Sequence, residues 1–342
     1  MDVAFPELFR AALNAVQGSQ VKADEKVVIY TDSERNPAIV EAFYAAVVTT
    51  GADVIVVRGM SRFPETSPPP AAVKACVEAD ILFELSSNDW LYSPAMLDVL
   101  GSGTRVLMAL LPERSIIDRP PDDRYTWRVG AAEKLIADKG KIKITSSLGT
   151  ELYADRQSRP WHGQSGYAAR PGHFDLYGTC MINCAPMEET VEGVVYYNGP
   201  MILYGDPEYL YVIQHPVKTV IEKGAITSID TSSEDGRKFD RWIKQFDDPN
   251  AYIISHIGFG FDPRFDPNHY DLAAWESVEG GVLVAFGANN TPTLKGSHAS
   301  KGHMDGIIFG STLEIDGVRI LDNGEFTSES GLRQSDRPAV PA

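Results

Sequence analysis

Short, largely apolar runs separated by helical patterns dominate the first 110 residues. Residues 27–30, 81–85 and 105–110 have the length of strands, whereas residues 36–49 repeat apolar side chains at helical spacing. Strands that alternate with helices favour an open parallel sheet with helices on both faces. No Gly-x-Gly-x-x-Gly sequence follows the first strand, so the pattern does not predict a dinucleotide site.

The pattern changes after Pro112, where short strands become more frequent than helices. Strand-like segments recur between residues 141 and 308, and residues 234–246 predict one amphipathic helix among them. We therefore predict an α/β protein of two domains. A Rossmann-like open parallel sheet domain is expected over residues 1–125, and a β-rich α+β domain over residues 126–342.

Composition and charge narrow the possible partners. The 342 residues carry a formal net charge of −16, which disfavours binding to nucleic acid or to anionic membranes. No apolar run approaches the roughly 20 residues of a membrane span, and the N-terminus lacks the pattern of a signal peptide. Cys180 and Cys184 have zinc-like spacing, but buried free thiols are the preferred interpretation. We expect a cytoplasmic protein.

Near the C-terminus an imidazole and a carboxylate stand two residues apart, just before an apolar run. On an extended segment, His303 and Asp305 would point to the same face. His256 lies 47 residues upstream of His303, in a second apolar run punctuated by glycine. Two histidines and one carboxylate are the usual ligands of non-haem Fe(II) oxygenases, so these three residues are the candidate metal ligands. The His-x-Asp pattern alone is weak evidence, and ordinary strand-end polar residues are the alternative.

Polar residues also follow two predicted strands of the N-terminal half. Residues 31–33 and 86–88 stand at carboxyl ends of strands, where sheets of this kind tend to bind ligands. Ser87 and Asn88 are therefore candidates for lining a substrate site, with turn formation and helix capping as the alternative.

Four landmarks follow one another in the C-terminal half. They are GTEL at residues 149–152, AP at 185–186 with EG at 192–193, HIGFGFDP at 256–263, and HMDG at 303–306. In this order, roughly residues 145–320 resemble the thermophilic aminopeptidase (aminopeptidase T) metallopeptidase family and its oxygenase relatives. The resemblance implies a fold of aminopeptidase T type, in which a Rossmann-like domain precedes a β-rich metal-binding domain.

The departures from the peptidase pattern change the chemistry that the resemblance implies. Peptidases of this family bind two metals through two glutamates, two histidines and the aspartate of the His-x-Asp pair. Here Met181 and His256 align with the two glutamates, and Leu283 aligns with one histidine. A thioether and an isobutyl group cannot replace the ligands of a hydrolytic metal pair. The remaining set of His256, His303 and Asp305 looks like that of the 2,5-dihydroxypyridine 5,6-dioxygenases, which implies mononuclear Fe(II) and ring cleavage with both atoms of O2 incorporated.

Ring cleavage of this kind also needs an acid/base group, for which histidine is the natural candidate. His173 is the first candidate because its segment leads, in the peptidases, to a metal-binding glutamate. His298, in a glycine-rich loop shortly before His303, is the second. We expect a small aromatic substrate and O2 as partners, and a homo-oligomeric protein.

Two other functions remain open at this point. A divergent single-metal aminopeptidase would bind zinc, cobalt or manganese and release amino acids from peptides. A non-catalytic binding protein would bind no metal at micromolar concentration. Whether a metal is bound, and which metal it is, distinguishes both alternatives from an iron dioxygenase.

Overall fold

The computed structural model describes residues 5–61, 67–204, 210–269 and 271–338. Its helices are α1 (Phe5–Gly18), α2 (Pro37–Val48), α3 (Pro70–Val77), α4 (Pro94–Gly101), α5 (Glu113–Asp118), α6 (Asp123–Ile136), α7 (Glu234–Lys244) and α8 (Leu272–Glu276). Its strands are β1 (Lys26–Thr31), β2 (Asp53–Arg58), β3 (Ile81–Glu84), β4 (Arg105–Met108), β5 (Lys141–Ser146), β6 (Glu151–Asp155), β7 (His162–Gln164), β8 (Phe174–Leu176), β9 (Met181–Cys184), β10 (Glu192–Tyr197), β11 (Pro200–Leu203), β12 (Leu210–Val212), β13 (Val217–Glu222), β14 (Ala225–Ile229), β15 (Ile254–Gly260), β16 (Val282–Gly287), β17 (His303–Ile308), β18 (Ser311–Ile315), β19 (Val318–Asp322) and β20 (Glu325–Phe326). Short 3-10 helices lie at Glu188–Thr190, Pro249–Tyr252 and Gln334–Asp336.

The predicted parallel sheet is confirmed, with strands in the order β2-β1-β3-β4-β8. Neighbouring strands run parallel, and Val28 of β1 lies opposite both Ile55 of β2 and Leu82 of β3. The central strands β3 and β4 are fully buried, as expected for a sheet with helices on both faces. β2 lies at the edge of the sheet and is largely exposed.

Two antiparallel sheets form the strand-rich part of the chain. One has the strand order β14-β13-β10-β6-β5-β18-β19-β20, and the other has the order β12-β11-β17-β16-β15-β9-β7. Residues of both sheets, including Ile144, Leu152, Val284 and Phe286, belong to one buried apolar cluster. The two sheets therefore share a core, which agrees with the predicted fold class.

Contacts divide the chain into two compact units that are not simply its two halves. The first contains the described residues up to Asp122 together with Gln164–Thr179 and Thr291–Thr293, and the second contains the other described residues. The break after residue 122 lies near the predicted boundary at 125. The prediction assigns residues 164–179 to the second domain, whereas they belong to the first compact unit. Residues 164–179 contain β8, which pairs in parallel with β4 and has only three residues. A strand this short has too little periodicity to be recognised in the sequence.

The three cysteines lie in the interior of the protein. Cys76, Cys180 and Cys184 are buried thiols. Burial raises the pKa of Cys76 to about 12, so its thiol is packed rather than reactive. Among the described helices, none combines the length and the hydrophobicity that crossing a membrane requires.

Candidate metal centre

The seven-stranded sheet places the predicted metal ligands on one face. His303 and Asp305 belong to β17 and His256 belongs to β15, while β16 lies between these two strands. Within β16, Ala285 lies opposite Asp305 and Gly287 lies opposite His303. Side chains alternate along a strand, so the intervening residues of β16 enter the shared core while positions 285 and 287 face the ligands. These small residues leave space for the ligand side chains to meet above β16.

The three side chains converge on one point. His256 Nε2 lies 3.1 Å from Asp305 Oδ1, and His303 Nε2 lies 3.5 Å from Asp305 Oδ2. The two imidazole rings are stacked, with centroids 5.4 Å apart and an interplanar angle of 22°. One ligand atom from each residue lies within 4.8 Å of the other two. The structure thus brings together all three predicted ligands, and two imidazoles with one carboxylate are a donor set that suits non-haem iron.

The charges around the triad favour the protonation states that a cation requires. Burial opposes ionisation of Asp305, but the neighbouring His303 favours its carboxylate, and the pKa of Asp305 is held well below its usual range. Burial also lowers the pKa of His256, although Asp305 opposes this change. At neutral pH the triad therefore offers a neutral imidazole at position 256 and a carboxylate at position 305.

Ser255 fixes which nitrogen of His256 faces the other ligands. Its Oγ donates to the Ala288 carbonyl at 2.6 Å and lies 3.0 Å from His256 Nδ1. The single hydroxyl proton is used by Ala288, so the hydroxyl accepts from Nδ1–H and leaves the lone pair of Nε2 directed toward Asp305. Two acceptor atoms then stand 3.1 Å apart, at Nε2 of His256 and Oδ1 of Asp305, and a bound cation would relieve their repulsion. No pattern in the sequence pointed to this role of Ser255.

Comparison with known proteins shows the family of the chain. A model of the 2,5-dihydroxypyridine 5,6-dioxygenase family matches residues 4–328. The chain belongs to this family. A curated 2,5-dihydroxypyridine 5,6-dioxygenase of Pseudomonas putida KT2440 is 31% identical over 194 residues. That alignment covers 57% of this chain and 54% of the relative, so it spans about half the length of the curated protein.

Solved structures share the fold. The structure of 2,5-dihydroxypyridine dioxygenase from Pseudomonas putida KT2440 superposes with a TM-score of 0.84 at 24% identity, covering 96% of this chain and 100% of that one. Wild-type AmpT from Thermus thermophilus superposes with a TM-score of 0.66 at 17% identity, covering 94% of this chain and 100% of that one. The fold of aminopeptidase T type expected from the sequence is therefore confirmed.

Two residues that the family resemblance aligns with peptidase ligands, Met181 and Leu283, lie in an apolar cluster. Met181 and Leu283 are buried together with Val278, Ala285 and Ile307. Ala285 faces the triad, and Leu283, two residues earlier on β16, shares that face. These side chains offer an apolar surface beside the triad and no ligand for a second hydrolytic metal.

Tyr204 and Glu276 are two further polar residues near the triad that sequence reasoning missed. The Tyr204 ring lies 5.3 Å from the His303 ring, centroid to centroid. The Tyr204 hydroxyl donates to the buried carboxylate of Glu276, at the end of α8. The two residues are 72 positions apart, and only the pairing of β11 with β17 brings Tyr204 beside His303.

His298 lies in the same compact unit as the triad. Its backbone N–H donates to Asn289 Oδ1 at 3.0 Å, and its Nδ1 lies 3.5 Å from Glu188 Oε1. The same carboxylate accepts from Arg159, Asn289 and Ser297 at 2.8–2.9 Å. Burial opposes ionisation of Glu188, but hydrogen bonds from His298, Arg159 and Asn289 outweigh it and hold the pKa well below its usual range. His298 Nε2 is buried and makes no hydrogen bond with the described residues.

His173 belongs to the other compact unit. It precedes β8 directly, and its carbonyl accepts from Val106 N–H at 3.0 Å, so it stands at the amino end of the parallel sheet. Its Nδ1 lies 3.0 Å from the carbonyl of Pro171. These contacts place His173 in the turn before β8. A catalytic role for His173 stays a prediction.

Ser87 and Asn88 stand beyond the carboxyl end of β3, as expected. The hydroxyl and the backbone N–H of Ser87 donate to Asp32 Oδ2 at 2.7 and 2.8 Å. Asn88 Nδ2 donates to Ser61 Oγ at 3.0 Å and to Ser87 Oγ at 3.1 Å. These bonds connect the loops after β1, β2 and β3, as the turn-forming alternative predicts. A substrate-binding role for the two residues stays a prediction.

Proposed function

We propose that this chain is a ring-cleaving, extradiol-type dioxygenase that inserts both atoms of O2 into a hydroxylated N-heteroaromatic such as 2,5-dihydroxypyridine, with one Fe(II) held by His256, His303 and Asp305. The convergence of these three side chains carries the proposal. Among the described residues, this is the group of histidine, cysteine and carboxylate side chains placed to hold a metal ion. Membership of the dioxygenase family supports the class of reaction.

Each residue of the triad makes its own contribution to binding the metal ion. Fe(II) would supply the redox chemistry by which O2 reacts with an electron-rich ring. His256 and His303 contribute imidazole nitrogens, and Asp305 contributes one negative charge that favours a divalent cation over a monovalent one. The apolar cluster around Ala285 and Leu283 lies beside the ligands, and an apolar surface there would favour the exclusion of water from the reacting groups.

We assign the acid/base role to His298. Glu188 is a carboxylate at neutral pH, so it favours the tautomer of His298 with the proton on Nδ1 and the lone pair on Nε2. Nε2 is then the atom that takes the proton from a substrate hydroxyl and returns it later. The loop that holds His298 leads directly into the ligand His303, which supports a place near the reacting groups.

The other expected properties stay predictions. The substrate is a small aromatic molecule, and Ser87 and Asn88 are candidates for contacting it. A homo-oligomeric assembly and a cytoplasmic location are likewise expected, and light scattering of the purified protein measures the first.

Metal analysis of anaerobically purified protein, followed by oxygen uptake with a panel of hydroxypyridines and hydroxylated aromatic acids, tests the proposal. We expect one iron per chain, uptake with 2,5-dihydroxypyridine, and both atoms of isotopically labelled O2 in the product. His303→Ala should lose iron and activity, whereas His269→Ala, at an exposed histidine, should keep both. Iron-saturated protein that consumes no O2 with any ring, or product that takes one oxygen from water, would refute the dioxygenase.

A further inference from the structure

We infer that Tyr204 and Glu276 are positioning residues that hold the imidazole of His303 in place for a metal ion. The inference rests on the proposed role of the triad. Tyr204 follows β11 directly, and the last residue of that strand, Leu203, lies opposite Met304 of β17. The N–H of Tyr204 donates to the His303 carbonyl at 3.2 Å, so the side chains of Tyr204 and His303 share the face that carries the triad.

The imidazole of His303 is confined between two other rings. From the side of β16 it stacks on His256, with centroids 5.4 Å apart and an interplanar angle of 22°. From the side of β11 it meets the Tyr204 ring at 5.3 Å and 46°. The outer torsion of a histidine side chain has broad minima, so an imidazole without such neighbours would not keep Nε2 directed at Asp305.

Tyr204 can confine His303 because both ends of Tyr204 are held. Its backbone carbonyl accepts from the buried Trp242 Nε1 at 3.1 Å. Its hydroxyl donates to Glu276, whose side chain is 7% exposed and lies at the end of α8. α8 packs against both β11 and β17, the strands that bring Tyr204 and His303 together. The hydrogen bond to Glu276 is therefore the contact that fixes the far end of the ring.

Titration of the metal-free protein with Co(II) tests the inference without turnover, through the affinity and the visible absorption spectrum of the bound ion. Tyr204→Phe and Glu276→Ala each remove the hydrogen bond, and each should weaken Co(II) binding by about 10–100-fold and alter the spectrum. The double variant should bind about as weakly as either single variant, because both changes break one contact. Glu276→Gln keeps an acceptor for the hydroxyl and should bind Co(II) like the unmodified protein.

Tyr153→Phe is the matched control, since the Tyr153 hydroxyl also donates to a carboxylate, Glu151 Oε1, at 2.8 Å. Tyr153 lies on β6 of the eight-stranded sheet. The Tyr153→Phe variant should bind Co(II) with the affinity of the unmodified protein. Circular dichroism checks that each variant folds. If Tyr204→Phe does not fold, the comparison of Glu276→Ala with Glu276→Gln tests the inference. Unchanged affinity and spectrum in the variants that lack the bond, or equal losses in Glu276→Gln and Glu276→Ala, would overturn the inference. If the unmodified protein binds no Co(II), the proposed metal site itself fails, which is a separate result.

Discussion

His256 Nε2 lies 3.1 Å from Asp305 Oδ1, although the two residues belong to strands that a third strand separates. Neighbouring strands are about 4.8 Å apart, so the backbones of β15 and β17 stand about 10 Å from each other. The two side chains must meet above β16. The residue beneath them is Ala285, which lies opposite Asp305 and is fully buried. The single methyl group at position 285 therefore allows the ligands to converge.

Enlarging that methyl group should separate the ligands. We expect Ala285→Val to lower the affinity for a divalent cation by about 10-fold or more, because ligand geometry must hold to about 0.5 Å. Overpacking adds a cost of about 1–3 kcal/mol in the free energy of unfolding. Equilibrium dialysis against Co(II) measures the affinity. Ala154→Val, at a buried alanine of β6, controls for overpacking alone, and equal affinity in the two variants would contradict the role of Ala285.

The parts of this site that the sequence predicts are encoded locally, like the His303 and Asp305 pair, or lie in recognisable segments, like His256 in its glycine-punctuated apolar run. His303 and Asp305 share a strand, so their spacing alone places them on one face. Met181 and Leu283 were recognised only through the family resemblance, which supplies the pairing of distant strands. Tyr204 carries no such signal, because its contact with His303 depends on the pairing of β11 with β17. For the same reason, alternation of strands and helices predicts the parallel sheet but not its fifth strand, β8.

Loss of the Ser255 hydroxyl should free the imidazole of His256. In Ser255→Ala, Nδ1 of His256 loses the acceptor that fixes its proton, and the ring can adopt the tautomer that carries the proton on Nε2. We expect cation affinity to fall by about 10–100-fold, the range for groups that orient a metal ligand. Ser255→Thr keeps a hydroxyl on the strand and should bind nearly as well. Calorimetric titration with Mn(II) compares them, and a Thr variant as weak as the Ala variant would argue for packing instead.

The acid/base role of His298 predicts a defect in rate without a defect in metal binding. His298→Gln should keep its iron and lose about 10²–10⁴-fold in kcat, the range expected for a positioned acid/base group. Glu188→Gln should lose less, because the amide oxygen of the new side chain still accepts a hydrogen bond from Nδ1–H, although the side chain carries no charge.

His173→Gln is the matching variant in the other compact unit. Under the assignment of the acid/base role to His298, this variant should keep full activity. Its Nδ1 in the unmodified protein lies 3.0 Å from the Pro171 carbonyl, in the turn before β8. Steady-state oxygen uptake at several pH values measures both variants. A rate loss confined to His173→Gln would move the acid/base role to that residue and leave His298 structural.

The protein should have no aminopeptidase activity, despite sharing the fold of AmpT. Met181 and Leu283 are buried in an apolar cluster, where a second hydrolytic metal would find no donors. We expect no release of amino acids from dipeptides in the presence of added cobalt or zinc. Turnover that survives in Asp305→Asn would point to a contaminating peptidase, whereas turnover that disappears in Asp305→Asn would overturn this interpretation of the two positions.

A buried carboxyl group gives the first unit a pH-dependent stability. Glu84 ends β3 and is fully buried, and its Oε1 accepts from the Ser86 backbone N–H at 2.8 Å and from the Ser86 hydroxyl. Burial raises the pKa of Glu84 to about 7, although the bonds from Ser86 oppose this shift. The pKa of an unfolded glutamate is about 4.3. Between these two values the folded chain holds the proton more tightly than the unfolded chain does.

Stability should therefore fall as pH rises from about 4.3 to 7, and then become level, because the unfolded chain releases this proton first. The size of the effect is at most about 4 kcal/mol. Glu84→Gln resembles the protonated side chain and does not titrate, so its melting temperature relative to the unmodified protein should be higher at pH 8 than at pH 5. Glu78→Gln, at an exposed position of the same unit, controls for the loss of one charge. A difference in melting temperature that is the same at both pH values would show that Glu84 is ionised throughout.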